Sequence, residues 1–241
     1  MKTELFPYIK FYKTVASTNT LAIGLLHEST CTDNFVICAK EQHNGRGRHT
    51  RSWYSPVGGL YCTLGFSQKR FPASITLFTG IVMHKVLHSI FPELQFSIKW
   101  PNDIHINNLK VGGILTSSND SGTVIGIGVD CNMKNIPERL EGIATSLLIE
   151  SGRKITLKKL LKDFLNTFEN NFRIFENDGF CYYRSYFEKI HSLARKRVKL
   201  YSGNMELGGT VQGVTDEGAL IVETEMGNQE ILSAEKIDIL E

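Results

Sequence analysis

Residues 95–131 read QFSIKWPNDIHINNLKVGGILTSSNDSGTVIGIGVDC. Apolar and β-branched runs are punctuated at Asn107-Asn108 and again at Asn119 to Gly122. Asn and Gly clusters between β-rich runs are hairpin signals. The pattern predicts three strands: Gln95 to Trp100 and on to Ile106, Lys110 to Ser117, and Thr123 to Cys131. Pro101 falls inside the first of them. Proline has no N–H to give a ladder, so sheets confine it to edges or bulges. A bulge that aims Asn102 or Asp103 off the ladder is therefore expected. It could flank an active site, or it could be purely structural, with Asp103 capping a turn.

Lys110 opens the second run and is followed by Val111-Gly112-Gly113-Ile114. Paired glycines inside a strand often mark the close approach of a ligand or of another backbone. A lysine beside that gap could reach a carboxylate or a phosphate; it could equally be a solvated lysine. The third run, VIGIGVD, has the same small-residue character, so a narrow pocket over the sheet is expected.

Upstream, Phe6 to Val15 reads as a strand and Thr20 to Glu28 as a short helix, with Ser17 or Thr18 as its N-cap. Asn34 to Lys40 and Gly59 to Phe66 read as buried strands. Ser74 to Ile90 has apolar residues at helical spacing and stops ahead of Phe91-Pro92. Downstream, Ile155 to Phe175 and Phe180 to Ile190 read as helices. From Arg197 to Glu241 the character changes to four or five short strands, broken at Ser202-Gly203-Asn204, Asp216-Glu217-Gly218 and Met226-Gly227-Asn228. This predicts a small separate β-barrel. The expected division is 1–194 and 195–241.

A chain of 241 residues with 41% hydrophobic and 22% charged residues is ordinary for a globular protein. A net charge of +2 gives no field that marks the whole molecule for nucleic acid or membrane. Any anion site must be local. The five cysteines (Cys31, Cys38, Cys62, Cys131, Cys181) are odd in number and show no CxxC spacing. They predict neither a disulfide framework nor a metal site, and a reducing compartment. With no signal peptide or membrane span read in the sequence, a cytoplasmic location is expected.

Between the predicted strands lies Gln42 to Ser55, too irregular for either helix or strand. It contains GRGRHTRSW, Gly45 to Trp53. Glycine permits positive φ and close backbone approach. Arginine supplies planar forks suited to phosphate or carboxylate. The loop could bind an anion; it could also be a solvated basic turn or a weak RNA contact. It is not a P-loop, because the GxxxxGK[ST] spacing is absent. Trp53 could stack on a base or serve as a packing anchor.

Taken in order, STN (17–19), Q-x-x-GRGR-x-x-R-x-W (42–53), KWPND-x6-K-x-x-GI (99–114) and GIG (126–128), followed by a small β-domain, resemble the biotin protein ligases. The likeness runs from Ser17 to the C-terminal strands. It implies an α+β fold of the class II synthetase-like type: a mixed β-sheet flanked by helices, with a small SH3-like β-barrel at the C-terminus. It implies a two-step reaction in which biotin and ATP give biotinyl-5′-AMP, and a carrier lysine then takes the biotin. ATP and biotin are the implied substrates, with Mg²⁺ accompanying ATP and no dedicated protein metal cage.

By position, the resemblance places Ser17, Thr18, Asn19, Gln42, Gly45, Arg46, Gly47, Arg48, Lys110 and Gly113 around biotin. It places Arg48, Trp53, Asn102, Lys110, Asp130 and Asn132 around the nucleotide. Lys110 and Arg48 are the implied catalytic pair, and Asp103 completes the KWPND motif. The implied partner is a biotin carboxyl carrier domain. The sheet edges could pair two subunits, and no nucleic-acid or membrane partner is expected. Longer family members carry an N-terminal DNA-binding domain; the motifs here begin near residue 1, so no repressor role is expected.

The chain departs from the family in three places. His49-Thr50 replace the usual Arg-Gly of the loop. Asp130 replaces an asparagine, and an ionised aspartate cannot donate as an amide does. Asn132, two residues on, is expected to face the same way. Ser117 stands near the place of a common glutamate. Two other readings remain. A lipoate or octanoate ligase would share the fold, but no RRxxGGG-type loop is present. An RNA-binding module would use Arg46, Arg48 and Arg51, which the near-neutral charge disfavours.

Overall fold

The computed structural model describes residues 2–28, 32–203 and 205–240. Cys31, Asn204 and Glu241 of the sequence reading therefore lie outside the described residues. A seven-stranded mixed sheet forms the larger part. Its strands are β1 (Tyr8–Val15), β2 (Phe35–Gln42), β3 (Leu60–Ser67), β4 (Phe96–Lys99), β5 (Asp103–Ile106), β6 (Leu109–Asn119) and β7 (Gly122–Val129). The spatial order is β1-β2-β3-β7-β6-β5-β4. Only β1 and β2 run parallel; every other pair is antiparallel.

The helices are α1 (Thr18–His27), α2 (Ile75–Ile90), α3 (Leu147–Ser151), α4 (Leu157–Asp178) and α5 (Cys181–Ile190). Of the two candidate caps it is Ser17 that caps α1, which starts two residues earlier than expected, with the Ser17 Oγ accepting from the Thr20 N–H at 3.4 Å. The two sheet faces differ. On one, α2 packs on β4 and β6, and α4 and α5 pack on α2. Phe164, Phe168, Phe172 and Phe175 of α4 recur every three or four residues and are all buried. Phe168, Phe172 and Phe175 meet Phe6 ahead of β1, Phe66 of β3 and Phe78 of α2, and Phe164 packs on Phe168 from the same helix. On the other face only α1 lies across β2, β3 and β7, over a small cluster of Ala22, Leu26, Phe35, Ile37 and Val124. The rest of that face is open.

The KWPND stretch differs from the sequence expectation. It is not one strand carrying a bulge at Pro101. The chain reverses at Trp100-Pro101, whose peptide is cis, and β4 and β5 pair antiparallel with Lys99 opposite Asp103. Asn102 N–H closes the turn on Lys99 O at 3.2 Å. The missing proline N–H is thus absorbed by a turn rather than by a bulge, giving four strands where three were expected. The bulge lies one strand further on. Ile104 pairs with Gly112 and His105 with Lys110, so Val111 is the extra residue in β6.

The C-terminal strands are β8 (Arg197–Ser202), β9 (Met205–Val214), β10 (Leu220–Thr224), β11 (Gly227–Ile231) and β12 (Lys236–Leu240). They form an antiparallel sheet in the order β11-β10-β9-β8-β12. The expected barrel is not closed: among the described residues β11 and β12 do not pair with each other. The sheet has no core of its own. Val198, Leu200, Val211, Leu220 and Val222 belong to the same apolar cluster as α2 and α4. The Trp100 indole N–H donates to Gly218 O at 2.9 Å, which ties the KWPND turn to this sheet.

Phe168 is fully buried and its ring lies 5.3–6.2 Å from those of Phe6, Phe66, Phe78, Phe164 and Phe172. Phe168→Ala is expected to lower unfolding free energy by about 3–5 kcal/mol. Urea denaturation followed by circular dichroism measures this, and a loss below about 1 kcal/mol would mean that the α4 stripe is not the core.

Candidate active site

The open face of the sheet carries a cleft of about 360 Å³. Its floor is made of glycines. A Cβ on Gly126 would fall 2.0 Å from Asn19 Oδ1, and one on Gly128 would fall 2.8 Å from the Trp53 indole. A Cβ on Gly113 would lie 3.0 Å from the same indole. The absence of side chains here is what lets Asn19 and Trp53 lie against the sheet.

One end of the cleft is a connected set of neutral polar groups. Gln42 Oε1 accepts from Thr18 N–H at 2.8 Å and from Thr18 Oγ1 at 3.1 Å, and Gln42 Nε2 donates to Ser55 Oγ at 2.8 Å. Thr63 Oγ1 lies 2.6 Å from Asn19 Oδ1 and 2.9 Å from Thr18 Oγ1. Asn19 Nδ2 donates to Leu115 O at 3.1 Å. Buried polar groups satisfied in this way hold one geometry. Thr63 and Ser55 were missed in the sequence. The signal for Thr63 is an aliphatic hydroxyl in the otherwise largely apolar run LYCTLGF.

The basic loop is more ordered than its composition suggests. It is a narrow hairpin: Trp53 N–H donates to Gly45 O at 2.9 Å, Gly47 N–H to Arg51 O at 2.7 Å, and Arg51 N–H to Arg48 O at 3.1 Å. His49 and Thr50 form the two-residue tip, with φ of 50° and 64°. Gly45 is required for closure, since a Cβ there would sit 2.5 Å from Trp53 O. The hairpin bends over the cleft and is held from outside. Arg48 reaches Asn102 Oδ1 at 3.4 Å and Ser233 Oγ at 2.7 Å. Arg51 donates to Glu235 O at 2.7 Å. Ser233 and Glu235 come from the C-terminal segment and carried no recognisable signal in the sequence.

At the other end stands Lys110. The Val111 bulge sets its direction. On a regular strand Lys110 and Gly113, three residues apart, would face opposite ways. The extra residue restores them to one face, where a Gly113 Cβ would lie 3.5 Å from Lys110 Cε. Lys110 Nζ lies 2.5 Å from Asp103 Oδ1 as an ion pair and 5.1 Å from the centre of the Trp53 ring. Asn102 clamps the neighbouring backbone, Nδ2 donating to Ile114 O at 3.0 Å. His105 Nδ1 contacts Asn108 O at 3.0 Å, and burial pushes its pKa below the usual histidine range. Trp53 Nε1 is a buried donor with no partner among the described residues. Such a donor calls for a ligand or solvent oxygen.

The cleft gathers Ser17, Thr18, Asn19, Gln42, Arg46, Gly47, Arg48, Trp53, Asn102, Lys110 and Gly113. Gly45 backs it without lining it. Asp130 is buried and does not line the cleft; its backbone N–H donates to Val111 O at 2.8 Å, and burial pushes its carboxyl up to about 8, opposed by the Lys110 charge. Asn132 is placed differently from the expectation. β7 ends at Val129, so strand alternation no longer applies two residues on. Its amide instead makes two bonds of 2.9 Å with the Ile155 backbone, which holds the lead into α4.

Comparisons with known proteins agree with the geometry. The profile of the Biotin/lipoate A/B protein ligase family matches residues 11–133, and that of the biotin protein ligase C-terminal domain matches residues 196–235. The bifunctional ligase/repressor BirA of Bacillus spizizenii is 30% identical over 98% of this chain and 75% of its own length. The biotin–[acetyl-CoA-carboxylase] ligase of Paracoccus denitrificans is 28% identical over 83% of this chain and 88% of its own length. Among solved structures, the biotin protein ligase of Aquifex aeolicus in complex with biotin and ATP superposes with a TM-score of 0.87. It is 28% identical, covering 98% of this chain and all of that one.

Gly128→Ala is expected to lift the Trp53 indole off the floor and shift its emission to the red, with far-ultraviolet circular dichroism unchanged. Trp100, at 2% exposure, serves as the buried reference. An unshifted spectrum would show that the indole does not rest on Gly128.

Proposed function

The chain belongs to the biotin/lipoate protein ligase family, and on that premise we propose that it joins biotin to a lysine of a biotin carboxyl carrier domain at the expense of ATP. The observation that carries this reading is the placement of Lys110. It is a lysine ion-paired to Asp103 at the inner end of a glycine-floored cleft, opposite a neutral polar wall and beneath an arginine hairpin.

In the first step a biotin carboxylate oxygen bonds to the α-phosphorus of ATP, the α–β bridging bond breaks, and pyrophosphate leaves with the electron pair. Both reactants are anionic, so the barrier contains their repulsion. A preorganised donor at the point where charge gathers can lower the barrier by about 2.7–4 kcal/mol. Lys110 supplies such a donor, and Asp103 fixes its direction. Arg48 adds a second cation from the hairpin. In the second step an acceptor lysine amine bonds to the acyl carbon, AMP leaves, and the amine loses a proton.

The ends of the cleft divide the ligands by chemistry. Ser17, Thr18, Asn19 and Gln42 present hydroxyls and amides suited to a ureido ring. Arg46, Gly47 and Gly113 flank the path to Lys110, while Trp53 and Asn102 serve the nucleotide. Mg²⁺ enters as part of the ATP substrate. The proposed division is 1–194 for the catalytic part and 195–241 for the SH3-like part. Among the described residues no helix is long and apolar enough to cross a membrane.

Biotin-dependent exchange of pyrophosphate into ATP, followed by intact-mass detection of a biotinylated carrier domain, tests the reading. Lys110→Ala is expected to slow exchange about 100- to 1,000-fold while leaving the thermal transition cooperative. Exchange that depends on lipoate or octanoate instead of biotin would reassign the substrate. Near-normal exchange by the lysine variant would remove Lys110 from the mechanism.

A further inference from the structure

Asp130 is 8% exposed, and its Oδ1 has no hydrogen-bond partner among the described residues. Its backbone N–H donates to Val111 O at 2.8 Å, which places it next to the residue that follows Lys110. The charged and titratable groups that interact with it electrostatically are Lys110 of β6, Tyr61 of β3 and its own neighbour Cys131; Lys110 is ion-paired in turn to Asp103 of β5, around which His105, Lys99 and Arg48 gather. Lys110 is thus ion-paired to Asp103, and no ion pair reaches Asp130 among the described residues. The 2.5 Å ion pair commits the lysine to Asp103, which is also the more exposed of the two carboxyl groups at 25% of its side chain. Asp130 is buried, and its Oδ1 has no such cation. A lone buried carboxylate is far costlier than a buried carboxylic acid.

We infer that Asp130 is a positioning residue that works as a neutral carboxylic acid beside the Lys110–Asp103 pair, and that loss of its proton shuts the first half-reaction down. With Asp130 protonated, Asp103 is the one carboxylate paired to Lys110, and Lys99 and Arg48 leave the cleft lining cationic toward incoming anions. With Asp130 ionised, a second carboxylate competes with those anions for the Lys110 ammonium. The inference rests on the role given to Lys110 above. It also explains how this chain tolerates aspartate where its family resemblance leads one to expect an amide: a protonated carboxyl is a neutral donor, as the amide is.

The raised carboxyl pKa, about 8 through burial with Lys110 opposing, sets the range. Burial pushes the Tyr61 phenol and the Cys131 thiol up, away from this range, and the His105 imidazole down. In the wild type, biotin-dependent exchange is expected to fall about tenfold per pH unit above a midpoint near 8, whereas Asp130→Asn holds its rate through the same range. Linkage gives a readout free of catalysis. Between about pH 4 and pH 8 the folded wild type keeps a proton that the unfolded chain has released, so its stability falls as pH rises through that window. The melting-temperature advantage of Asp130→Asn should therefore widen across the window and level off above it.

Carboxyl-carbon NMR of aspartate-labelled wild type requires no variant to fold and should show one aspartate titrating near 8. Absence of that resonance, or an alkaline limb that persists in Asp130→Asn, would overturn the inference. So would a variant inactive at neutral pH whose melting difference is independent of pH. If the wild type shows no biotin-dependent exchange at any pH, the reading of Lys110 fails and the catalytic role of Asp130 falls with it. The NMR and melting data then report its protonation separately.

Discussion

Val111 is one residue too many for β6, and the site is built on that surplus. Strand alternation would send Lys110 and Gly113 to opposite faces. The bulge at Val111 returns the lysine to the face that carries the glycine floor, within reach of Asp103 on β5. Asp103 owes its own position to the turn at Trp100-Pro101, which starts β5 immediately after β4 ends. Two local irregularities, a turn that proline can occupy and a one-residue bulge, thus place an ammonium and a carboxylate at one end of an otherwise regular sheet. Packing then fixes them. The Trp100 side chain is buried in the core and bonded to Gly218, and Asn102 clamps β6 through Ile114.

Much of this was legible in the sequence because it depends on local pattern. The Ser17 cap, the β2 and β3 strands, the α2 stop before Phe91-Pro92 and the hairpin at Asn119 to Gly122 all follow from periodicity and turn chemistry. What was not legible depends on contacts between distant segments. A proline within a β-rich run is compatible with either a bulge or a reversal, and only the pairing of Phe96–Lys99 with Asp103–Ile106 decides between them. Closure of the C-terminal strands into a barrel depends on whether two edges meet, which no five-residue strand encodes. Thr63, Ser55, Ser233 and Glu235 enter the site by proximity alone. Asn132 lies past the end of β7, where alternation no longer sets a side chain's direction.

The small sheet is part of the site rather than an attachment to it. It shares the apolar cluster of α2 and α4, and its segment from Ala234 to Asp238 forms one wall of the cleft. Through Arg48 and Arg51 it holds the hairpin down; through Gly218 it holds the KWPND turn. Removing the sheet would therefore strip one wall from the cleft and the anchors from the loop at once. The two parts fold around one core and present one surface to a ligand.

The hairpin tip shows how closure is balanced. Both tip residues adopt the left-handed conformation, which non-glycine residues reach at a cost of about 1–2 kcal/mol each, and a β-branched threonine is especially ill suited to it. His49 and Thr50 carry that cost at φ of 50° and 64°. The return comes from the arms of the hairpin: a charge-assisted bond from Arg48 to Ser233, another from Arg51 to a backbone carbonyl, and the indole of Trp53 laid on glycine. Hydrogen bonds to a charged group contribute about 1.5–3 kcal/mol each. Anchors and tip strain are thus of similar size. A loop in that position closes without being locked, and an anion drawing Arg48 away from Ser233 needs only a comparable free energy to rearrange it. For biotin and ATP, both of them anions, a cover weakly held by its own arginines can respond directly to what lies beneath it.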